Sequence, residues 1–390
     1  MKILIVSVSA GAGHTRAAEA LQAALRKNHP SVDTLHVDLM DYVPAFFRAI
    51  YVKGYLFTVK HLSPVWGFLY GLTDKAQKPS PTQGFLDSVQ RQFAGRFIRF
   101  VRDVNPDLVL TTHFLTAPFL SSEIKSGRLR APLQCVVTDF DVHWFWINPV
   151  ISHYYVASDN VAAKLTKRRI DPSRVTVTGI PIHPVFSEAT NAETLRSKLG
   201  LKQGSTIQGS TTRGSKTHGS KTLLLLSGGC GLGAVEEAAR ALFDLNTHVH
   251  LITVAGRNLA LLDRMNRLRP PASLSMTNLG FIDNIHEWLS VCDLVITKGG
   301  GLSVSECLAK EAPMVIFDPI PGQEENNANH IIACGAGVRA NSFEELRRRL
   351  EELLSNSDAV AGMKRNARRC AKPQAAFAIA AATASRGPLA

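Results

Sequence analysis

The chain has 390 residues, 45% of them hydrophobic and 19% charged, with a formal net charge of +12. That composition excludes wholesale disorder and suits two or three domains with real apolar cores. No run of about 18 apolar residues is present, so nothing is expected to span a bilayer. The charge asks for an anionic partner: nucleic acid, a membrane surface or an anionic substrate.

Residues 1–8 enter a strand pattern directly, without the basic and apolar regions of a secretory signal. Lys2–Val8 (KILIVSV) reads as a buried parallel strand, Ser9–His14 (SAGAGH) as a turn, and Thr15–Lys27 as a helix. Leu35–Leu39 is the next expected strand. Tyr42–Tyr70 then mixes aromatic and basic residues, among them Phe46, Phe47, Arg48, Tyr51, Lys53 and Trp66. A helix is expected over Leu86–Val104, followed by strands at Leu108–Thr112, Leu133–Thr138, His153–Ala157 and Val175–Thr178. The β-α alternation predicts a parallel sheet with helices on both faces.

Gly179–Pro184 (GIPIHP) closes this half. Gly204–Ser220 is a Gly/Ser/Thr tract that cannot pack a core and is expected to be a flexible insertion. The rhythm restarts with strands at Thr222–Leu226, Val249–Val254, Leu294–Ile296 and Met314–Phe317, a helix near Ala234–Phe243 and a helical tail from Phe343. The expected fold class is therefore α/β, with two doubly wound parallel-sheet domains joined near residue 185. The domains expected are 1–184, a linker with the insertion at 185–221, a second domain at 222–372 and an Ala-rich tail at 373–390. Residues 1–180 carry net +8 and the remainder +4, so the first half is expected to face the more anionic partner. Cys135, Cys230, Cys292, Cys307, Cys334 and Cys370 show no CxxC pair and no zinc spacing, which suits a reduced, cytoplasmic protein.

Ligands of doubly wound sheets sit beyond the carboxyl ends of the strands, where the glycine turns fall. SAGAGH lacks both the GxGxxG spacing and the Lys-Ser/Thr of a P-loop. His14, at a helix start, is a candidate general base or a capping, structural histidine. Ser227–Gly233 (SGGCGLG) suits a loop over a diphosphate, although packing glycines are common; Gly229, Gly231 and Gly233 are its candidate ligands. In Ile296–Glu306 (ITKGGGLSVSE) a strand runs through Gly299, Gly300 and Gly301 into a helix carrying Ser303 and Glu306. This is an anion site at a helix amino end, with a carboxylate placed for a ribose diol. Asp318–Asn329 (DPIPGQEENNAN) reads as a rigid loop ending in amides and carboxylates, Gln323, Glu324 and Asn327 among them. Such groups suit sugar hydroxyls, or a solvated polar helix start.

GAGH after the first strand, TDFDVHWFW at 138–146, GIPIHPVF at 179–186, VAGRN at 254–258, LGFIDNIHEW at 279–288, ITKGGGLSVSE and PIPGQEENNA together resemble the monogalactosyldiacylglycerol synthase and processive diacylglycerol glucosyltransferase family. These belong to glycosyltransferase family 28 and have the GT-B fold, which implies two Rossmann-like doubly wound parallel-sheet domains facing across a cleft. The resemblance covers nearly the whole chain. It departs at GAGH for the usual GGGH, at GGG for the plant-type GPG, and at the Gly/Ser tract.

The resemblance implies an inverting transfer of a hexose from UDP-glucose or UDP-galactose to diacylglycerol. Gly229–Gly233 and Gly299–Gly301 would hold the UDP diphosphate, and the backbone of Phe281 and Ile282 the uracil. Glu306 would take the ribose, and Gln323, Glu324 and Asn327 the sugar. His14, or else Asp139, would be the base. Lys298 or Arg257 would assist the leaving group, with no metal or other cofactor required. The expected setting is cytoplasmic, peripheral on the inner face of the membrane, with the aromatic–basic stretch lying in the headgroup region or forming an ordinary core helix. Nucleic acid is not an expected partner. The rival readings are an N-acetylglucosaminyltransferase forming lipid II and a non-catalytic UDP-sugar sensor.

Overall fold

The computed structural model describes residues 1–9, 11–54, 71, 74, 93–201, 221–228 and 234–385. The insertion at Gly204–Ser220, the candidate loop Gly229–Gly233 and most of the aromatic–basic stretch beyond Gly54 lie outside these residues.

Apolar runs too short for helices pair side by side into two six-stranded parallel sheets. The first holds β1 (Lys2–Ser7), β2 (Asp33–Asp38), β3 (Leu108–Thr111), β4 (Leu133–Val136), β5 (Ile151–Val156) and β6 (Val175–Val177), in the order β2-β1-β3-β4-β5-β6. The second holds β7 (Lys221–Leu226), β8 (Val249–Val254), β9 (Leu274–Leu279), β10 (Leu294–Thr297), β11 (Met314–Phe317) and β12 (Gly337–Ala340), in the order β12-β11-β10-β7-β8-β9. β9 and β12 are absent from the sequence-based reading. Both are edge strands, and neither LSMTNL nor GVRA carries the continuous apolar run of a central strand.

Strand order reverses between β1 and β3 in the first sheet and between β7 and β10 in the second. Such reversals open a crevice at the carboxyl ends of the strands. Five helices matter for what sits there: α1 (Ala12–Asn28), α2 (Asp159–Lys167), α3 (Gly301–Ala309), α4 (Gln323–Ala333) and α5 (Ala375–Ser385). α3 and α4 follow β10 and β11 directly. The residues Gln323–Asn327, read from sequence as the end of a loop, form the first turn of α4.

Each sheet has apolar clusters on both faces. One of them joins the two halves: Ala17, Phe140, Ile180 and Ile182 of the first pack with Leu302, Val304 and Ile316 of the second. The Ala-rich tail is the helix α5, and it returns to the first domain, where Ala376, Ile379 and Ala380 bury against Ala18, Leu21 and Leu25 of α1. Ile379 is fully buried. Its truncation to Ala is expected to cost about 2–5 kcal/mol, read as a lower midpoint in chemical denaturation. An unchanged midpoint would mean that α5 does not hold α1 in place.

Candidate active site

The first wall of the cleft begins where β1 ends. Gly11 opens α1 with no side-chain cap, so His14, in the first turn, does not act as a capping residue. Its Nδ1 lies 2.8 Å from the Thr112 carbonyl and 2.9 Å from Thr138 Oγ1, and the Thr112 hydroxyl donates back to the His14 carbonyl at 2.9 Å. A carbonyl only accepts, so Nδ1 carries the proton and Nε2 keeps its lone pair. Nε2 has no hydrogen-bond partner among the described residues.

The His113 ring stands edge-on at 4.5 Å, and Trp146 lies 6.2 Å away. This packing strips water from the imidazole and lowers its pKa to about 4, against the smaller opposing effect of the Thr112 carbonyl. The near-neutral value that makes histidine an attractive base in sequence is thereby corrected: His14 is neutral at physiological pH.

Asp139, the alternative base, follows Thr138. Its carboxylate accepts from Asn327 Nδ2 at 3.1 Å, and burial raises its pKa to about 6. Its neighbour Asp141 is held by Lys164 on α2 at 2.9 Å and by Asn326 at 2.7 Å. The two carboxylates of this Asp-Phe-Asp step are therefore committed to separate partners.

The second wall is built from α3 and α4. Gly299 has φ +97°, a left-handed conformation that side chains other than glycine rarely adopt. Gly300 caps α3, and Gly301 is its first residue. A Cβ on Gly301 would lie 2.3 Å from the Thr138 carbonyl, so here the two domains touch backbone to backbone. Ser303 stands half-buried in the same turn, while Glu306, one turn further, is buried. Its Oε1 accepts from Arg16 of α1 at 2.7 Å, and burial raises its pKa to about 7.

At the start of α4, Glu324 accepts from the Ile320 amide at 2.7 Å, and burial pushes its pKa up to about 7. Gln323 begins the helix beside it. Asn327 is fully buried: its Oδ1 accepts from the Phe140 amide at 2.7 Å and its Nδ2 donates to Asp139. Expected from sequence at the sugar, Asn327 has both ends of its amide on the opposite domain. One turn on, His330 stacks on Phe140 with ring centroids 4.3 Å apart.

A shallow, partly open pocket lies at the carboxyl ends of β7, β10 and β11, lined in part by Thr297, Lys298 and Asp318. Lys298 Nζ is 3.5 Å from Asp318 Oδ2. Further along the sheet, Arg257 covers the Phe281 ring at 5.0 Å, and the ring remains 57% exposed, with Ile282 half-buried behind it. The amino ends of α3 and α4 both open toward this side, and their dipoles favour an anion.

Sequence reading missed Arg16, Lys164 and His330, and took Asn326 only as one of the polar side chains of the run 323–327. Only α4 offered a signal, since Gln323, Asn327 and His330 recur at helical spacing along one face.

Residues 14–182 match the monogalactosyldiacylglycerol (MGDG) synthase family, and residues 224–379 match the glycosyltransferase family 28 C-terminal domain. The chain belongs to this glycosyltransferase family. It is 29% identical to the processive diacylglycerol beta-glucosyltransferase of Bacillus pumilus (strain SAFR-032), over 94% of this chain and 90% of that one. It is 27% identical to the chloroplastic monogalactosyldiacylglycerol synthase of Spinacia oleracea, over 97% of this chain and 71% of that one. Among solved structures, Acinetobacter baumannii MurG superposes with a TM-score of 0.61 at 14% identity, covering 98% and 99% of the two chains. This glycosyltransferase has two Rossmann-like GT-B domains, and His14 of the first and the Gly299–Gly301 turn of the second both reach Thr138 at the cleft.

Proposed function

We propose that this glycosyltransferase moves a hexose from a UDP-sugar to the hydroxyl of diacylglycerol at a membrane surface, with inversion at the anomeric carbon. The observation that carries the chemistry is the fixed tautomer of His14. As the acceptor oxygen attacks, its proton passes to Nε2, while Nδ1–H stays donated to the Thr112 carbonyl and steadies the imidazolium that forms. Negative charge developing on the departing UDP meets the amino ends of α3 and α4 and the Lys298 ammonium. Glu306 takes the ribose, Gln323 and Glu324 the sugar, and Phe281–Ile282 the uracil. Closure against Thr138 keeps water from the donor.

The membrane contact is carried by the described part of the aromatic–basic stretch. Phe47 and Tyr51 pack against the core, whereas Phe46 and Ile50 are 55% and 70% exposed. The spacing i, i+4 places the two inward residues on one helix face and the two outward residues on another. Outward apolar side chains beside Arg48 suit a headgroup layer on an anionic membrane, and no described helix is long and apolar enough to cross one. Replacing Phe46 and Ile50 by Ser is expected to weaken sedimentation with anionic vesicles several-fold while sparing UDP affinity, and added salt is expected to weaken it further. Equal sedimentation of variant and parent would remove this contact from the account.

UDP release tests the proposed reaction. It is expected to rise with diacylglycerol vesicles and not with a polyprenyl-diphosphate acceptor. Release indifferent to every acceptor would favour a sensor instead.

A further inference from the structure

Glu306 is a donor-domain carboxylate, yet the residue that holds it comes from the other domain. Arg16 Nη2 reaches across the cleft from α1 and donates to Oε1 at 2.7 Å. The pair is asymmetric: the Glu306 side chain is 4% exposed and the Arg16 side chain 41%. Arg16 engages Oε1 alone, so Oε2 has no hydrogen-bond partner among the described residues. One guanidinium nitrogen on one oxygen leaves half of the carboxylate for a ligand. The setting is tight on both sides, since a Cβ on Gly13 would lie 4.0 Å from Leu302 Cβ, where α1 and α3 face each other.

We propose that Arg16 is a positioning residue for the donor: from the acceptor domain it aims and charges the Glu306 carboxylate, whose second oxygen then takes the ribose diol. This rests on the reading that Glu306 binds the ribose. Arg16 is two residues from His14 on the same helix. Donor grip and placement of the base are therefore linked through this cross-cleft contact, and the ribose is held fully only when the cleft is closed. A buried carboxylate without a cation partner favours its protonated form. Burial already lifts Glu306 to about 7, and Arg16 is the charge that opposes the rise. The other titratable groups nearby are Cys307 on the same helix, itself raised well above its ordinary value, and His183, which feels Arg16.

The test is calorimetric binding of UDP-glucose and UDP-galactose without acceptor, from about pH 5.5 to about pH 8.5, where the diphosphate diester keeps its charge. The parent is compared with Arg16→Ala, Arg16→Lys and Glu306→Ala. Arg16→Ala is expected to bind about tenfold more weakly at neutral pH and to lose affinity from a higher pH than the parent. Arg16→Lys is expected to recover most of both effects. Thermal melts run alongside, and Arg16→Gln replaces the alanine variant if that one fails to fold. If Arg16→Ala matches the parent at every pH, or binds more tightly, while Glu306→Ala is weak, the role given to Arg16 is overturned and the ribose reading stands. If Glu306→Ala also matches the parent, the ribose reading fails and this proposal fails with it.

Discussion

His14→Ala is expected to lower kcat by about 10²–10⁴-fold, the range of a lost general base. UDP-sugar affinity should change little, because the side chains assigned to the donor stand on α3, α4 and the loops after β8, β9 and β10, and Arg16 is left in place. The pH profile separates the two candidate bases. With His14 near 4, the acidic limb of kcat/KM governed by it falls at about pH 4; with Asp139 near 6, a limb governed by that carboxylate falls at about pH 6. Stability moves in the same window and has to be measured beside activity. The folded ring resists protonation down to about pH 4, whereas an unfolded histidine takes a proton near its ordinary value of 6.5. Below about pH 6.5 the unfolded state therefore binds the extra proton, so the folded state loses stability as pH falls from there toward about 4. The expected outcome is a limb at about pH 4 in folded parent enzyme that vanishes in His14→Ala. A limb at about pH 6 that survives the substitution would give the role to Asp139.

The second large effect is expected at Gly301. Its backbone angles suit any residue, and alanine favours a helix over glycine, so Gly301→Ala should leave folding intact. The added Cβ would nevertheless stand 2.3 Å from the Thr138 carbonyl, a backbone atom with no flexible end to yield. The domains must separate by about an ångström, which loosens the Arg16–Glu306 and Asn327–Asp139 contacts together. Misplacement of that size costs on the order of 10²-fold in turnover. A kcat within twofold of the parent, with an unchanged Tm, would show that the reactive state does not need this approach.

Much of the architecture could be read from the chain because buried parallel strands are continuous apolar runs. KILIVS and KTLLLL announce themselves; LSMTNL, half-polar at a sheet edge, does not. Of the site, His14 stood out because small residues precede it between a strand and a helix, and Glu306 because glycines precede its helix. What the sequence could not show is who meets whom. Arg16 looks like any solvent-facing cation on α1 until Glu306 is brought to it from 290 residues away. Asn327 reads as a sugar ligand until Asp139 and Phe140 arrive from the other domain to occupy its amide. The pKa of His14 likewise depends on His113 and Trp146, which only the fold packs around the ring.

The central claim is the transfer itself, and the product tests it most directly. Purified enzyme is incubated with diacylglycerol vesicles and a hexose-labelled UDP-sugar, and the lipid extract is resolved by thin-layer chromatography and NMR. The account predicts label in a β-hexosyl diacylglycerol, formed in step with UDP and abolished in His14→Ala. UDP release with the label remaining in water, or an α-linked product, would contradict it.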